Sequence, residues 1–327
     1  MHLESGLVSE DVMAFEKTNG EYGQAIQEVG NSLRALMGEL ENFQDIARYI
    51  KPSPGEIPKL NGVDIYGETI PLNGIVGGDH IVYVDFKHRY DLNARVKKAQ
   101  DRGRDDVVRK LNECRNKVGV MVADVSGHLI TDALLAAMLH QAFLLGAIYE
   151  MDYYGNITPK LFENLNTRFY NSSSVSKFLT MIYGEISEDG RFQFLSAGHP
   201  MPIVFSRKYD RIVDVPEELM VSFPPIGTLP SVRDIDRSQN ESVLGFKEEY
   251  AVNEWDLMGT GDILIVYTDG LIEHERDGEE YVPKYLERKL HEVKDRSSKE
   301  IFLAIKEDIL AFNQPQDDIS YVVIKWH

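Results

Sequence analysis

The sequence predicts a mixed α+β protein with antiparallel strand pairing, preceded by a long helix. Three observations carry this. Residues 22–50 repeat apolar side chains at alternating steps of four and three, the a/d seam of an amphipathic helix. From residue 81 onward short β-branched and aromatic runs alternate with turn formers and helical patterns, and such runs read as strands. "SEDG" at 187–190 separates two of those runs at hairpin spacing, so that pair is antiparallel.

The helical seam is built from Tyr22, Ile26, Val29, Leu33, Leu36, Leu40, Phe43, Ala47 and Ile50. Gly23, Gly30 and Gly38 interrupt it, each at a cost of about 1 kcal/mol. Two readings fit the stripe: a helix packed on its own domain, or one that pairs with a second copy. "KPSPGEIPKLNG" at 51–62 then ends the helix as a Pro/Gly linker. The organisation is therefore a helical segment at 1–50, a linker at 51–62 and a globular part at 63–327.

Within the globular part, strands fall at 81–86, 118–125, 178–186, 191–198, 202–206, 262–270 and 319–326. The last of these closes the chain inside a sheet. Helical patterns occupy about 131–150, 159–170, 283–294 and 298–312. Residues 87–117 are dense in charge and read as a solvated insertion with some helix. Residues 207–258 are irregular and polar, and read as a long surface excursion.

Composition narrows the function. The 327 residues carry 53 acidic against 35 basic side chains, a net charge of −18. Nucleic-acid binding needs cations to neutralise phosphates, so this balance argues against it, and against an anionic membrane surface. The excess carboxylate serves solubility or holds metal through hard oxygen ligands. One cysteine, Cys114, excludes an internal disulfide and fits a reducing compartment. The start "MHLESGLVSEDVMAFEK" lacks the cationic and apolar regions of a signal peptide. The run "ALLAAMLHQAFLLGAIY" is interrupted by His140 and Gln141 and is shorter than the roughly 20 residues of a membrane span. A cytoplasmic protein is expected.

Four segments place aspartate at the edge of an apolar strand beside small or turn-forming residues. They are "GIVGGDH" with Asp79, "VADVSGH" with Asp124, "IVYTDGLIE" with Asp269, and "QPQDDIS" with Asp317 and Asp318. Adjacent strand ends would make these carboxylates converge and raise one another's pKa. A divalent cation removes that conflict, and an all-oxygen set suits Mg²⁺ or Mn²⁺. No His/Cys cluster has zinc spacing.

Together with "LSAGHP" at 195–200 and "PPIG" at 224–227, these motifs resemble the metal-dependent Ser/Thr phosphatases of the PPM superfamily, in the bacterial SpoIIE/RsbU branch. The resemblance runs from about residue 50 to the C-terminus. It implies an α-β-β-α sandwich of two antiparallel sheets with a two-metal site, Mn²⁺ or Mg²⁺, at one edge. By motif, Asp124 bridges both metals and the Val125 carbonyl binds one of them. Asp269 and Asp317 bind the second metal, and Asp79 acts on the first directly or through water. Asp318 falls at a supporting position, with the choice of direct ligand open between it and Asp317. A metal-bridged hydroxide would attack the phosphoserine or phosphothreonine phosphorus in line.

The resemblance further implies a phosphorylated anti-sigma-factor antagonist as substrate, in a partner-switching stress or developmental pathway. An upstream regulator would act on residues 1–50 or on the insertion. A homodimer is expected through the helical seam. His128 either touches phosphate or is a structural turn residue. His199 and Gly198 shape a loop, Thr268 orients Asp269, Glu273 is a solvated helix-start residue, and Gly77 and Gly78 permit close backbone approach. The sequence departs from the branch at Leu129, Ile130, Thr131 and Asp132, where relatives carry a smaller stretch. Two rivals remain. A "GGD" nucleotide cyclase leaves "TDG" and "DDIS" unexplained. A non-catalytic phosphatase-fold binding module sits poorly with a full carboxylate set.

Overall fold

The computed structural model describes residues 24, 26–42, 45–46, 56–72, 77–126, 130–172, 177–235, 242, 244–256 and 259–327. The expectations on Tyr22, Phe43, Ala47, Ile50, His128 and Leu129 lie outside those residues, and nothing is described of the Thr131 side chain. The chain divides into two units, Met1–Tyr49 and Ile50–His327. In the first, helix α1 runs over 26–42. Its Ile26, Val29, Leu33, Leu36 and Met37 side chains are exposed.

The second unit runs β1 (Val63–Ile70), β2 (His80–Asp85), α2 (Phe86–Arg89), α3 (Leu92–Gln100), α4 (Asp105–Glu113), β3 (Lys117–Val125), α5 (Ile130–Tyr153) and α6 (Pro159–Ser172). It continues with β4 (Leu179–Ser187), β5 (Phe192–Ala197), β6 (Ile203–Ser206), β7 (Arg211–Val213), β8 (Ser222–Phe223) and β9 (Asn253–Trp255). Then come β10 (Ile263–Tyr267), α7 (Asp269–Ile272), β11 (Glu275–Arg276), β12 (Glu279–Glu280), α8 (Lys284–Val293), α9 (Ser298–Phe312) and β13 (Ile319–Trp326).

One sheet has the order β1-β13-β10-β6-β7 and the other β2-β3-β4-β5-β8, with β9 also on β5. Pairing is antiparallel except for the two-residue β5–β8 contact. The alternation of each strand builds three apolar layers. Val118, Val120 and Val122 of β3 meet Leu264 and Val266 of β10 and Val322 and Ile324 of β13 between the sheets. Met121, Ala123 and Val125 face α5 and α6 through Leu139, Phe143, Leu161 and Phe162. Ile263, Ile265, Tyr321 and Val323 face α8 and α9 through Leu290, Ile301, Ile305 and Ile309. The result is helix, sheet, sheet, helix, as the sequence motifs implied. The C-terminal strand lies inside its sheet, between β1 and β10.

Four sequence expectations need correction. β1, "VDIYGETI", is absent from the expected strands because polar residues and Gly67 break its pattern. It pairs with β13 along its whole length. The 87–117 insertion is not simply solvated: Leu92, Ala99, Val107, Leu111 and Cys114 are buried in the core outside the β2–β5 sheet. The 207–258 excursion is stitched to both sheets by β7, β8 and β9. α5 has 24 residues and extends past the helix expected at about 131–150. It is the one helix among the described residues long and apolar enough to cross a membrane by length and composition, and here Ala136, Leu139, Phe143 and Ala147 bury one face of it in the core.

Candidate metal centre

The same alternation that fills the core builds the site. Residues 118, 120 and 122 of β3 point between the sheets, so the next residue of that parity, Asp124, points there too. Counting back from Ile81 and Tyr83 of β2 gives Asp79, and counting back from Val322 and Ile324 of β13 gives Ser320 and Asp318. Beyond Val266 the rule gives Thr268. At one end of the sandwich the apolar filling is thus replaced by a polar layer drawn from both sheets.

Backbone contacts lock these segments together. His80 stands opposite Ala123 in the β2–β3 register, and the Val125 amide donates to the Gly78 carbonyl at 3.4 Å. The Thr268 amide donates to the Ser320 carbonyl at 2.9 Å. Asp318 is buried and accepts the amides of Leu72 at 2.7 Å and Gly78 at 2.8 Å. A Cβ at Gly77 would collide with that carboxylate, and one at Gly270 would collide with the Asp318 carbonyl. Both glycines therefore serve close backbone approach.

The carboxylates sit at two depths. Asp79 and Asp318 are buried, while Asp124, Asp269 and Asp317 are half-buried. Asp317 also accepts the Asp318 amide at 2.8 Å. Burial raises the Asp124 pKa to about 8, with the charges of Asp269 and Asp317 adding to it. Burial and the Asp124 charge hold the Asp79 carboxyl well above the usual range, against a hydrogen bond from Thr268. Asp269 is raised by burial and by Asp317. Glu273 is exposed and raised by burial, Asp269 and Asp317.

Among the described residues, no three His, Cys, Asp or Glu side chains close into a ready-made metal cage. The aspartates are coupled by charge instead, and the charges acting on Asp79, Asp124 and Asp269 are those of other carboxylates. Hard oxygen donors with excess negative charge fit Mg²⁺ or Mn²⁺, and a cation would supply the countercharge this set lacks.

All five predicted aspartates and Val125 fall at this end of the sandwich. Other roles shift. Thr268 donates not to its neighbour Asp269 but to Asp79, at 2.7 Å. Asp269 opens α7 rather than ending a strand, and Glu273 is at the C-terminal cap of α7. His199 is buried, meets Thr180 at 3.2 Å, and burial lowers its pKa to about 3. It is a neutral loop-shaping residue, and Gly198 beside it has φ +65° with a Cβ position blocked by Pro225.

Two supports escaped the sequence reading. Lys177 pairs with buried Asp132 at 3.0 Å and donates to the Ser126 carbonyl at 2.5 Å, tying α5 to the residue that follows β3. His80 Nε2 and His140 Nδ1 lie 2.7 Å apart, tying α5 to the residue after Asp79. In the sequence Asp132 stands out only as a departure from the family pattern. The pairings themselves join positions 45 and 60 residues apart and leave no local pattern.

The architecture is similar to PPM-type phosphatase domains. The SiaA PP2C domain of Pseudomonas aeruginosa superposes with TM-score 0.58 at 14% identity, covering 90% of this chain and 98% of that one. The RsbU and RsbW domains of Rv1364c from Mycobacterium tuberculosis give 0.55 at 20% identity, covering 83% and 61%. The phosphatase domain with a regulatory fragment of SpoIIE from Bacillus subtilis gives 0.53 at 16%, covering 81% and 63%. The chain thus spans less than two thirds of the last two structures. No curated protein matches it by sequence. The chain belongs to the stage II sporulation protein E (SpoIIE) family, whose pattern it matches over residues 115–327.

Proposed function

We propose that this chain is a metal-dependent protein serine/threonine phosphatase. The observation that carries the reading is the charge coupling of Asp79, Asp124, Asp269 and Asp317 at one end of the sandwich, with Asp124 pushed up to about 8 by burial and neighbouring carboxylates. Asp124 is assigned to both cations, Asp269 and Asp317 to one, and Asp79 with the Val125 carbonyl to the other. Asp318 is assigned a supporting role, because its two oxygens accept backbone amides, whereas half-buried Asp317 is coupled by charge to Asp269 and Asp124. When bound, two Mn²⁺ or Mg²⁺ ions supply a water of lowered pKa and stabilise charge on the phosphoryl oxygens.

The protein's own contribution is placement. Lys177 ties Asp132 of α5 to the Ser126 carbonyl beside β3, and Asp318 holds the Gly78 amide beside Asp79. Cys114 takes no part: it is buried, donates to the Gly155 carbonyl at 3.3 Å, and its thiol is pushed up to about 12. A buried, inert thiol is consistent with a cytoplasmic protein.

For substrate we propose a phosphorylated anti-sigma-factor antagonist in a partner-switching pathway. The likeness to a chain that joins RsbU and RsbW domains supports this. The exposed α1 stripe supports a homodimer and a docking place for an upstream regulator. Hydrolysis of p-nitrophenyl phosphate tests the activity. Turnover should require Mn²⁺ or Mg²⁺, cease on chelation and vanish in Asp124→Ala. Capture of phosphoproteins by a metal-site variant tests the substrate, and recovery of none related to an antagonist would count against it.

A further inference from the structure

We propose that Thr268 is a positioning residue for the metal centre: its hydroxyl, donating to Asp79 across the gap between the sheets, sets the orientation in which Asp79 meets the cation. The inference rests on the two-metal reading above. Thr268 follows β10 in one sheet, and Asp79 precedes β2 in the other. The Thr268 Oγ1 to Asp79 Oδ2 distance is 2.7 Å, with Thr268 fully buried and Asp79 6% exposed.

The hydroxyl has little choice of partner. A threonine hydroxyl owns one proton. Oγ1 already accepts the Ser320 amide at 3.0 Å. The competing acceptor, the Ser320 carbonyl, lies farther away at 3.4 Å and already receives the Thr268 amide. The proton is therefore directed at Asp79. The β-branched side chain is stiff at χ1, so the direction is held.

A second observation points the same way. Thr268 is the N-cap residue of α7, yet its side chain makes no capping bond. Threonine is favoured at that position because its oxygen accepts an amide of the first turn. Here the oxygen is turned away from its own helix and toward the carboxylate. The network continues outward, with Ser320 also hydrogen-bonded to Asp79 and its Oγ 2.6 Å from Thr69 Oγ1.

The consequence for the centre is geometric. Thr268 is peptide-bonded to Asp269, a proposed ligand of the second cation. Through its side chain it fixes Asp79, a proposed ligand of the first. One residue thus links the two halves of the site. Groups that orient metal ligands affect metal affinity directly.

The test is Mn²⁺ titration of the full chain by calorimetry and electron paramagnetic resonance, with kcat and KM on p-nitrophenyl phosphate. Thr268→Val removes the hydroxyl at nearly constant volume, and should weaken Mn²⁺ binding by about 10–100-fold. Its kcat should fall at limiting Mn²⁺ and recover toward the parent value at saturating Mn²⁺, with KM unchanged. Thr268→Ser keeps the donor and should bind Mn²⁺ within about twofold of the parent, since the orienting bond survives. Should Thr268→Val fail to fold, Thr268→Cys, a weak donor, should give an intermediate affinity. Parent-like Mn²⁺ binding in Val or Cys, or equal loss in Ser and Val, overturns the proposal. An intact chain that binds no Mn²⁺ overturns the metal reading as well, which separates the two failures.

Discussion

Asp318 and Gly78 are joined at 2.8 Å, the carboxylate of one accepting the amide of the other across 240 residues of sequence. The second oxygen of Asp318 takes the Leu72 amide at 2.7 Å. Asp317, one residue earlier, is half-buried and electrostatically coupled to Asp124 and Asp269. Two neighbouring aspartates thus have separable duties.

That separation predicts opposite outcomes for the same substitution. Asp318→Asn leaves one side-chain acceptor for two amides, the Gly78 one buried, and should cost about 1–3 kcal/mol of stability. Asp317→Asn should leave the melting temperature unchanged or higher, because it removes a repelling charge, while abolishing tight Mn²⁺ binding. Thermal melts and Mn²⁺ titrations of both variants check this. Equal melting temperatures with equal Mn²⁺ loss would contradict it.

Asp124→Asn and Asp269→Asn should each lower kcat by about two or more orders of magnitude, since cation placement supplies most of the transition-state stabilisation. Both should stay folded. Retained turnover at saturating metal in both would show the ligand assignment to be wrong.

The raised carboxylates fix the direction of pH dependence. Asp124 titrates near 8 in the folded chain against about 3.9 when unfolded. Between those values the native state holds the extra proton, so metal-free stability should fall as pH rises through that window. Cation binding displaces that proton. The rise in melting temperature on adding Mn²⁺ should therefore be larger at about pH 8.5 than at about pH 6. A rise that shrinks with pH would contradict the buried-carboxylate account.

How legible this was depended on the range of the interactions. β3, β10 and β13 announce themselves through unbroken β-branched runs, because strands buried on both faces need apolar residues at every position. β1 does not, because Gly67 is required where Tyr321 and Val322 pack against it and Glu68 is exposed. α3 and α4 hid their buried Leu92, Ala99, Val107 and Leu111 among charges that face solvent, although the helical spacing was present. The aspartates were visible as a set because each sits beside a turn. The Thr268–Asp79 bond was not, since it joins positions 189 residues apart and sequence adjacency suggested Asp269 instead.

The α1 stripe makes its own prediction. Leu33→Asp combined with Leu40→Asp places charges in the seam and should dissociate a dimer in light scattering. A monomeric parent chain would end the dimer proposal. A dissociated variant with unchanged kinetics would end any role for α1 in regulating turnover.

The central claim is that these aspartates hold cations that make the chain a phosphatase. The most direct measurement is phosphate release from a phosphoserine peptide, followed while Mn²⁺ is titrated into chelator-stripped protein and bound metal is counted. The account predicts no release in the stripped state, activity rising with occupancy to two ions per chain, and neither binding nor release in Asp124→Ala. Activity that survives stripping, or Asp124→Ala that binds metal and turns over like the parent, would contradict it.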